Sequence, residues 1–397
     1  MNLDRLIAKR MASLSAAGAV CAVALSACGG GSGGGGTSAP PTATTLADTA
    51  LVSNRNGVVA TNSTIDSNLS NPWGLVTAPG LPFWIADNNS NLATLYSGTG
   101  QVATSSVTGS NTTGIEIPAS AAGVPANPTG QIYNGAGGFT VATDMGQESA
   151  LFIFAGEGGT IAAWAKDSGT KAVTVYDDGL SNGDNHAVYK GLALGTSNGA
   201  NFLYATDLHN NKIDVFDTNF EKPDGMQGKF VDPTLPAGYA PFGIAALNNQ
   251  LFVTYAKQDA QRHDETIGAG LGYVDVYDFN GAFVSRFASA GDLNAPWGLA
   301  MAPAGFGSFQ GDLLVSNFGD GSINVFAPNG TALSTSMGPL TVNGTALAIP
   351  GLWALVFGNG DADKPKTTLF YTAGFANQTD GVFGSLAVSA APTSNPY

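Results

Sequence analysis

Two cysteines and three histidines in 397 residues remove whole classes of chemistry from this chain. Cys21 and Cys28 both lie at the N-terminus. The chain beyond Cys28 therefore has no disulfide, no thiolate metal ligand and no cysteine nucleophile. His186, His209 and His263 are far apart in sequence, and no two have the spacing of zinc ligands. Charge is scarce too, at 11% of residues, and unbalanced: 15 Lys and Arg against 29 Asp and Glu leave a net charge of −14. An acidic protein repels nucleic acid and anionic headgroups, which leaves cations, neutral glycans and basic partners. Heptads and long amphipathic stretches are missing, which argues against a helical fold.

What the chain has is glycine, 54 residues of it, and a returning phrase. The phrase reads Pro72-Trp73-Gly74-Leu75, Pro128-Thr129-Gly130-Gln131, Lys190-Gly191-Leu192, Pro241-Phe242-Gly243-Ile244, Pro296-Trp297-Gly298-Leu299 and Pro350-Gly351-Leu352-Trp353. From Gly74 to Gly298 the steps are 56, 61, 52 and 55 residues. A period of that length marks a repeated supersecondary unit, and the short apolar strands after each phrase make it a propeller blade. The expected fold is all-β: a six-bladed β-propeller of four-stranded antiparallel blades. Fourth strands are hardest to place, with Gln101 to Thr104, Gly228 to Val231 and Ala282 to Phe287 as candidates. Blade six runs out of chain before its fourth strand, whereas Ala50-Leu51-Val52-Ser53 is a spare strand ahead of the first phrase. That N-terminal strand is expected to pair with blade six and close the ring, leaving no open edge.

The chain divides into residues 1–27, 28–45, 46–390 and 391–397. The first segment has a basic start (Arg5, Lys9, Arg10) and an apolar run too short to span a bilayer. It ends in Leu25-Ser26-Ala27-Cys28, which resembles the bacterial lipoprotein signal; the resemblance implies cleavage before Cys28 and a lipid on its sulfur. The Gly/Ser/Thr/Pro-rich segment 28–45 reads as a flexible tether of roughly 20–25 Å. The propeller is residues 46–390 and a short tail follows. The expected location is the bacterial cell envelope, outer membrane or periplasmic face, with a monomeric domain and no nucleic-acid partner.

Trp84-Ile85-Ala86-Asp87 with Leu95-Tyr96, and Tyr204-Ala205-Thr206-Asp207 with Ile213 to Asp217, resemble the repeat of NHL-type propellers. Leu69 to Gly74, Phe152 to Trp164, Val188 to Ala193, Leu235 to Phe242, Val253 to Ala256 and Asn317 to Gly321 together resemble exported bacterial propellers, related to those associated with PEP-CTERM sorting. The resemblance covers about residues 50–390 and implies fold and location, but no reaction. It departs at Gln378 to Gly384, where a Glu and a His-Gly-Leu-Phe-Gly are expected in that family.

Propeller geometry gathers the ends of second strands on one rim. Asp87, Glu157, Asp207, Tyr255 and Asn317, with Asn88 and Asp320 just beyond, are the expected ligand rim. Asp87, Glu157, Asp207 and Asn317 could hold one divalent cation such as calcium, whose ligands are oxygens. The alternative for each is to cap its own turn. Glu157, before Gly158-Gly159, and His209 are the best acid–base candidates; Glu157 could instead bond those glycine amides. Gly195-Thr196-Ser197-Asn198-Gly199 has the serine-nucleophile pattern but lies in a hairpin, without the strand-to-helix turn the pattern requires. Trp73, Phe242, Trp297 and Trp353 are expected as inter-blade core. The leading reading is binding of a ligand or envelope partner at the rim. A calcium- or manganese-assisted lactone or ester hydrolase of gluconolactonase-like type is one alternative, and a structural or assembly role at the envelope is the other.

Overall fold

In the computed structural model, residues 45–59, 63–103, 114–178, 186–328, 334–342 and 345–389 are described. Residues 1–44, with the signal, Cys28 and nearly all of the tether, and the tail 391–397 lie outside them. Six antiparallel sheets follow one another along the chain, each opened by one copy of the phrase. The innermost strands are Pro72–Val76, Pro128–Tyr133, Tyr189–Ser197, Tyr239–Leu247, Pro296–Met301 and Leu352–Phe357. The fold is the expected six-bladed propeller.

Proline suits the start of an innermost strand because that strand is a sheet edge facing the axis, and proline has no N–H to offer there. The phrase itself is a bulge: pairing slips between Pro72 and Leu75, Pro241 and Ile244, Pro296 and Leu299, and Leu352 and Leu355. Its glycine lets neighbouring inner strands close in around the axis. A Cβ on Gly74 would lie 2.5 Å from the Thr129 carbonyl oxygen, and one on Gly243 only 2.0 Å from that of Trp297. Second-strand hydroxyls then latch blades three, five and six to the blade that follows each. Thr206 Oγ1 donates to the Phe242 carbonyl, Ser316 Oγ to that of Trp353 and Thr372 Oγ1 to that of Trp73, each at 2.6 Å.

Trp73, Phe242, Trp297 and Trp353 are buried core between blades, as expected, and meet in a single cluster. Trp73 stacks on Trp353 at 3.5 Å and meets Trp297 edge-on at 5.9 Å and Phe242 at 6.2 Å. Blade one thus touches blades four, five and six through a single aromatic plug. Beyond it the second halves of the inner strands line an axial cavity of about 440 Å³.

The N-terminal strand, Thr45–Ser53, runs antiparallel to Val382–Ser389 and completes blade six. Buried Leu46 and Val52 seat it in the core. Past its end Arg55 Nε and Nη2 donate to the Asp380 carboxylate at 2.8 and 2.6 Å, and Asn54 and Gly381 exchange bonds at 3.1 Å. Of the three expected outer strands only that of blade four, Ala282 to Phe287, is found close to its place. In blade one the fourth strand is Gly114–Glu116, and Val102 makes only an isolated bridge to Tyr96. In blade four it is Phe283–Ser289. Blade three has three strands among the described residues, ending at Lys212–Phe216. There Gly228 to Val231 is not a strand, because Pro223, Pro233 and Pro236 break the segment into turns and Gln227 Nε2 caps the edge carbonyl of Val215 at 2.9 Å.

Candidate functional site

Most of the expected rim residues turn back on their own loops. Asp87 is fully buried and accepts the Thr94 amide at 3.2 Å. Asp207 accepts the amides of Val188 and Asn210, both at 3.2 Å, and the Asn210 side chain at 2.8 Å. Burial pushes both carboxyls up. Asn317 donates to the Asp292 carbonyl at 2.7 Å, and Asp320 caps Ser322 at 3.0 Å. Tyr255 points into the core, its hydroxyl 2.7 Å from that of Tyr277. The proposed cation set of Asp87, Glu157, Asp207 and Asn317 is therefore not assembled: three of the four are committed to backbone and turn partners. An Asp or Asn at a strand end finds backbone groups of its own and adjoining turns more readily than a partner across the ring.

Glu157 is the exception. Its carboxylate accepts Asn88 Nδ2 at 2.9 Å and the ammonium of Lys190. The amides of Gly158 and Gly159 go to the carbonyls of Ala126 and Gly156 instead, so the carboxylate is not spent on its own turn. Lys190 stands where blades one, four and five place Trp73, Phe242 and Trp297. Its side chain is 0% exposed, its Nζ lies 5.1 Å from the Trp73 ring centre, and its carbonyl accepts Trp297 Nε1 at 3.1 Å. It is a cation built into the aromatic plug.

A third element completes the cluster. Blade four's second strand, Gln250–Gln258, runs on past the blade, and its end pairs with Glu265–Thr266 so that the turn between them folds over the rim. This brings Asp264 Oδ1 to 3.2 Å from Lys190 Nζ and 3.1 Å from His263 Nδ1. Arg262 Nη2 reaches His209 Nε2 at 3.3 Å, and His209 stacks on His186 at 5.1 Å. All three histidines of the chain thus lie on one stretch of rim. Val124, Pro125, Asn127, Glu157, Gly158, His186 and His263 line a pocket of about 300 Å³ there.

The electrostatics are those of mutually compensating charges. Burial alone pulls the Lys190 ammonium down, but Glu157, Glu265 and Asp264 outweigh it and the net shift is upward. The bond to His263 holds Asp264 well below the usual carboxylate range, and the same bond raises His263. Burial pushes Glu265 up to about 7 despite Lys190. A carboxyl titrating near neutrality can give and take a proton, which suits acid–base work.

Among the described residues one group of three His, Asp or Glu side chains has its ligand atoms within 4.8 Å of one another: Glu157, His263 and Asp264. Sequence reading passed over Lys190, His263, Asp264 and Glu265. Two signals were available. Lys190 breaks the aromatic rule of the phrase, and Arg262-His263-Asp264-Glu265 is a dense charged run in a chain of 11% charge.

Fold and site define a six-bladed β-propeller with a buried-lysine charge cluster on its rim. The chain is 33% identical over 367 residues to uncharacterized protein R648 of Acanthamoeba polyphaga mimivirus, covering 91% of this chain and 85% of that protein. It is 32% identical over 342 residues to uncharacterized protein L690 of the same virus, covering 85% and 84%. The chain belongs to the family these two proteins represent. No family model matches it. Among solved structures, the soluble aldose sugar dehydrogenase of Escherichia coli is similar at 14% identity and TM-score 0.49, over 87% of this chain and all of that one. A virginiamycin B lyase of Staphylococcus aureus is similar at 16% and 0.45, over 87% and 99%. Neither likeness decides anything about the chemistry of this chain.

Proposed function

We propose that this propeller is a binding protein that captures a small polar ligand at the mouth between blades two, three and four, and that a lipid on Cys28 tethers it to a bacterial cell envelope. One observation carries the binding reading: Glu157, Lys190, His263 and Asp264, contributed by three blades, converge beside a pocket of about 300 Å³. A fold gains no stability from burying a lysine among carboxylates that an apolar side chain could not match, so such a cluster points to use. With Glu157, Asp264 and Glu265 at the mouth, the ligand presents a cationic or hydroxyl-rich end. The tether rests on Leu25-Ser26-Ala27-Cys28 and the Gly/Ser-rich segment after it.

A metal-assisted hydrolase of lactones or esters is the second reading, favoured by the Glu157, His263 and Asp264 donor atoms. Melting scans of the full chain with spermidine and with a panel of neutral oligosaccharides test the first reading. A true ligand at 100 times its Kd adds about 2.7 kcal/mol of stability. At least one probe is expected to raise the melting temperature of the parent and not of Glu157→Gln. Equal shifts in both proteins, or none across the panel, count against the reading. Chelator-sensitive lactone hydrolysis would turn the choice to the second.

A further inference from the structure

We propose that Glu157, His263 and Asp264 form a site for one divalent cation, zinc or manganese, and that Lys190 is the internal cation whose bonds to Glu157 and Asp264 this metal must replace. The proposal deepens the rim-site reading and rests on it. Three observations lead to it. The ligand atoms of the three side chains already lie within 4.8 Å of one another. Tetrahedral ligands about 2.0–2.1 Å from zinc are roughly 3.3 Å apart, so shifts of about 1 Å per side chain complete the site. The side chains of His263 and Asp264 are 45% and 62% exposed, which leaves them room for that movement. Second, the position already holds positive charge: Lys190 Nζ is bonded to Glu157 and is 3.2 Å from Asp264. Third, the site opens onto the pocket lined by Glu157, His186 and His263, which leaves the metal's outer face to water or ligand.

The donor set selects the metal. Calcium takes six to eight oxygens, and this group offers an imidazole and two carboxylates, a set that suits zinc or manganese. Lys190 sets the affinity. Its ammonium is buried beside the Trp73 ring, so a metal binds against its charge and in place of its bonds to Asp264 and Glu157. The site is consequently weak in the parent and strengthened by any change that neutralises position 190.

Calorimetric titration of the chelator-treated full chain with zinc, manganese and calcium chlorides tests this. One zinc or manganese per chain is expected, bound more tightly than calcium. His263→Ala should bind at least about tenfold more weakly, since outer-shell partners alone are worth about 10–100-fold. Lys190→Met should bind at least about tenfold more tightly. Lys190→Gln serves the same purpose if the Met variant does not fold, and circular dichroism melts establish which variants are folded. A preference for calcium, an unchanged His263→Ala, or a folded position-190 variant that binds no tighter than the parent overturns the proposal. Organic-ligand binding by the metal-free chain with no zinc or manganese uptake defeats this inference and leaves the rim reading standing. Metal uptake with no organic ligand does the reverse.

Discussion

Replacing Leu46 and Val52 together with alanine attacks the ring where the two ends of the propeller meet. Both side chains are essentially inaccessible, at 1% and 0% exposure, on the strand that pairs with Val382–Ser389. Truncating a buried leucine costs about 2–5 kcal/mol, and the smaller valine about 1–3. The two positions lie six residues apart in an extended strand, roughly 20 Å, so the costs should add. A total of about 3–8 kcal/mol compares with about 5–15 for a whole domain. At about 2–4 °C per kcal/mol for domains of 150–250 residues, and somewhat less in a larger one, the double variant should melt about 10 °C lower. Removing residues 46–56 altogether should abolish the cooperative transition, because Arg55 and Asn54 are lost with the strand. Differential scanning calorimetry reads both. Thr49→Ala, at an exposed position on the same strand, is the control and should stay within about 0.5 kcal/mol of the parent. A double variant that melts within about 2 °C of the parent would show that the closure contributes little and that the reasoning is mistaken.

Three further outcomes follow from the same geometry. Gly243→Ala forces a Cβ to 2.0 Å from the Trp297 carbonyl, so blades four and five must part; chemical denaturation should show a loss of about 1–3 kcal/mol or more, and an unchanged midpoint would contradict the packing. Asp264→Asn should return the His263 imidazole from its raised value toward its ordinary 6.5, seen by NMR titration of the ring; an unmoved His263 would mean the two are not bonded. Glu265 takes its proton more readily folded than unfolded, since burial raises it from 4.5 to about 7. Its contribution therefore falls as pH rises from about 4.5 to about 7 and is constant above that. Glu265→Gln should shrink the drop in melting temperature between pH 5 and pH 8, and an equal drop in both proteins would refute the assignment.

The architecture was legible because each blade repeats the same local solution. Gly74, Gly243 and Gly298 are required wherever one inner strand passes the next, and the apolar second strands are buried on both faces. The closing strand was legible because blade six lacked one. The site was legible at Glu157, at its neighbour Asn88 and at His209, which lies on the same stretch of rim. The other rim residues looked alike as strand-end Asp and Asn, but the choice between capping a turn and facing the mouth depends on amides that sequence does not locate. His263 and Asp264 escaped notice because they reach the rim through the fold-back of Lys257–Gln258 on Glu265–Thr266. His186 and His209 meet through the stacking of two separate loops of blade three.

That a blade-two carboxylate and a blade-three ammonium act as one unit at the propeller mouth can be measured directly with a double-mutant cycle on Glu157→Gln and Lys190→Met, using unfolding free energies. Lys190 keeps Asp264 when Glu157 is changed, so Glu157→Gln is expected to cost about 1–3 kcal/mol, and Lys190→Met, which leaves the carboxylates facing one another, about 3–5. The double change should cost less than their sum by at least about 1 kcal/mol. Strict additivity would mean that the two side chains do not compensate each other, and the site built around them would fall.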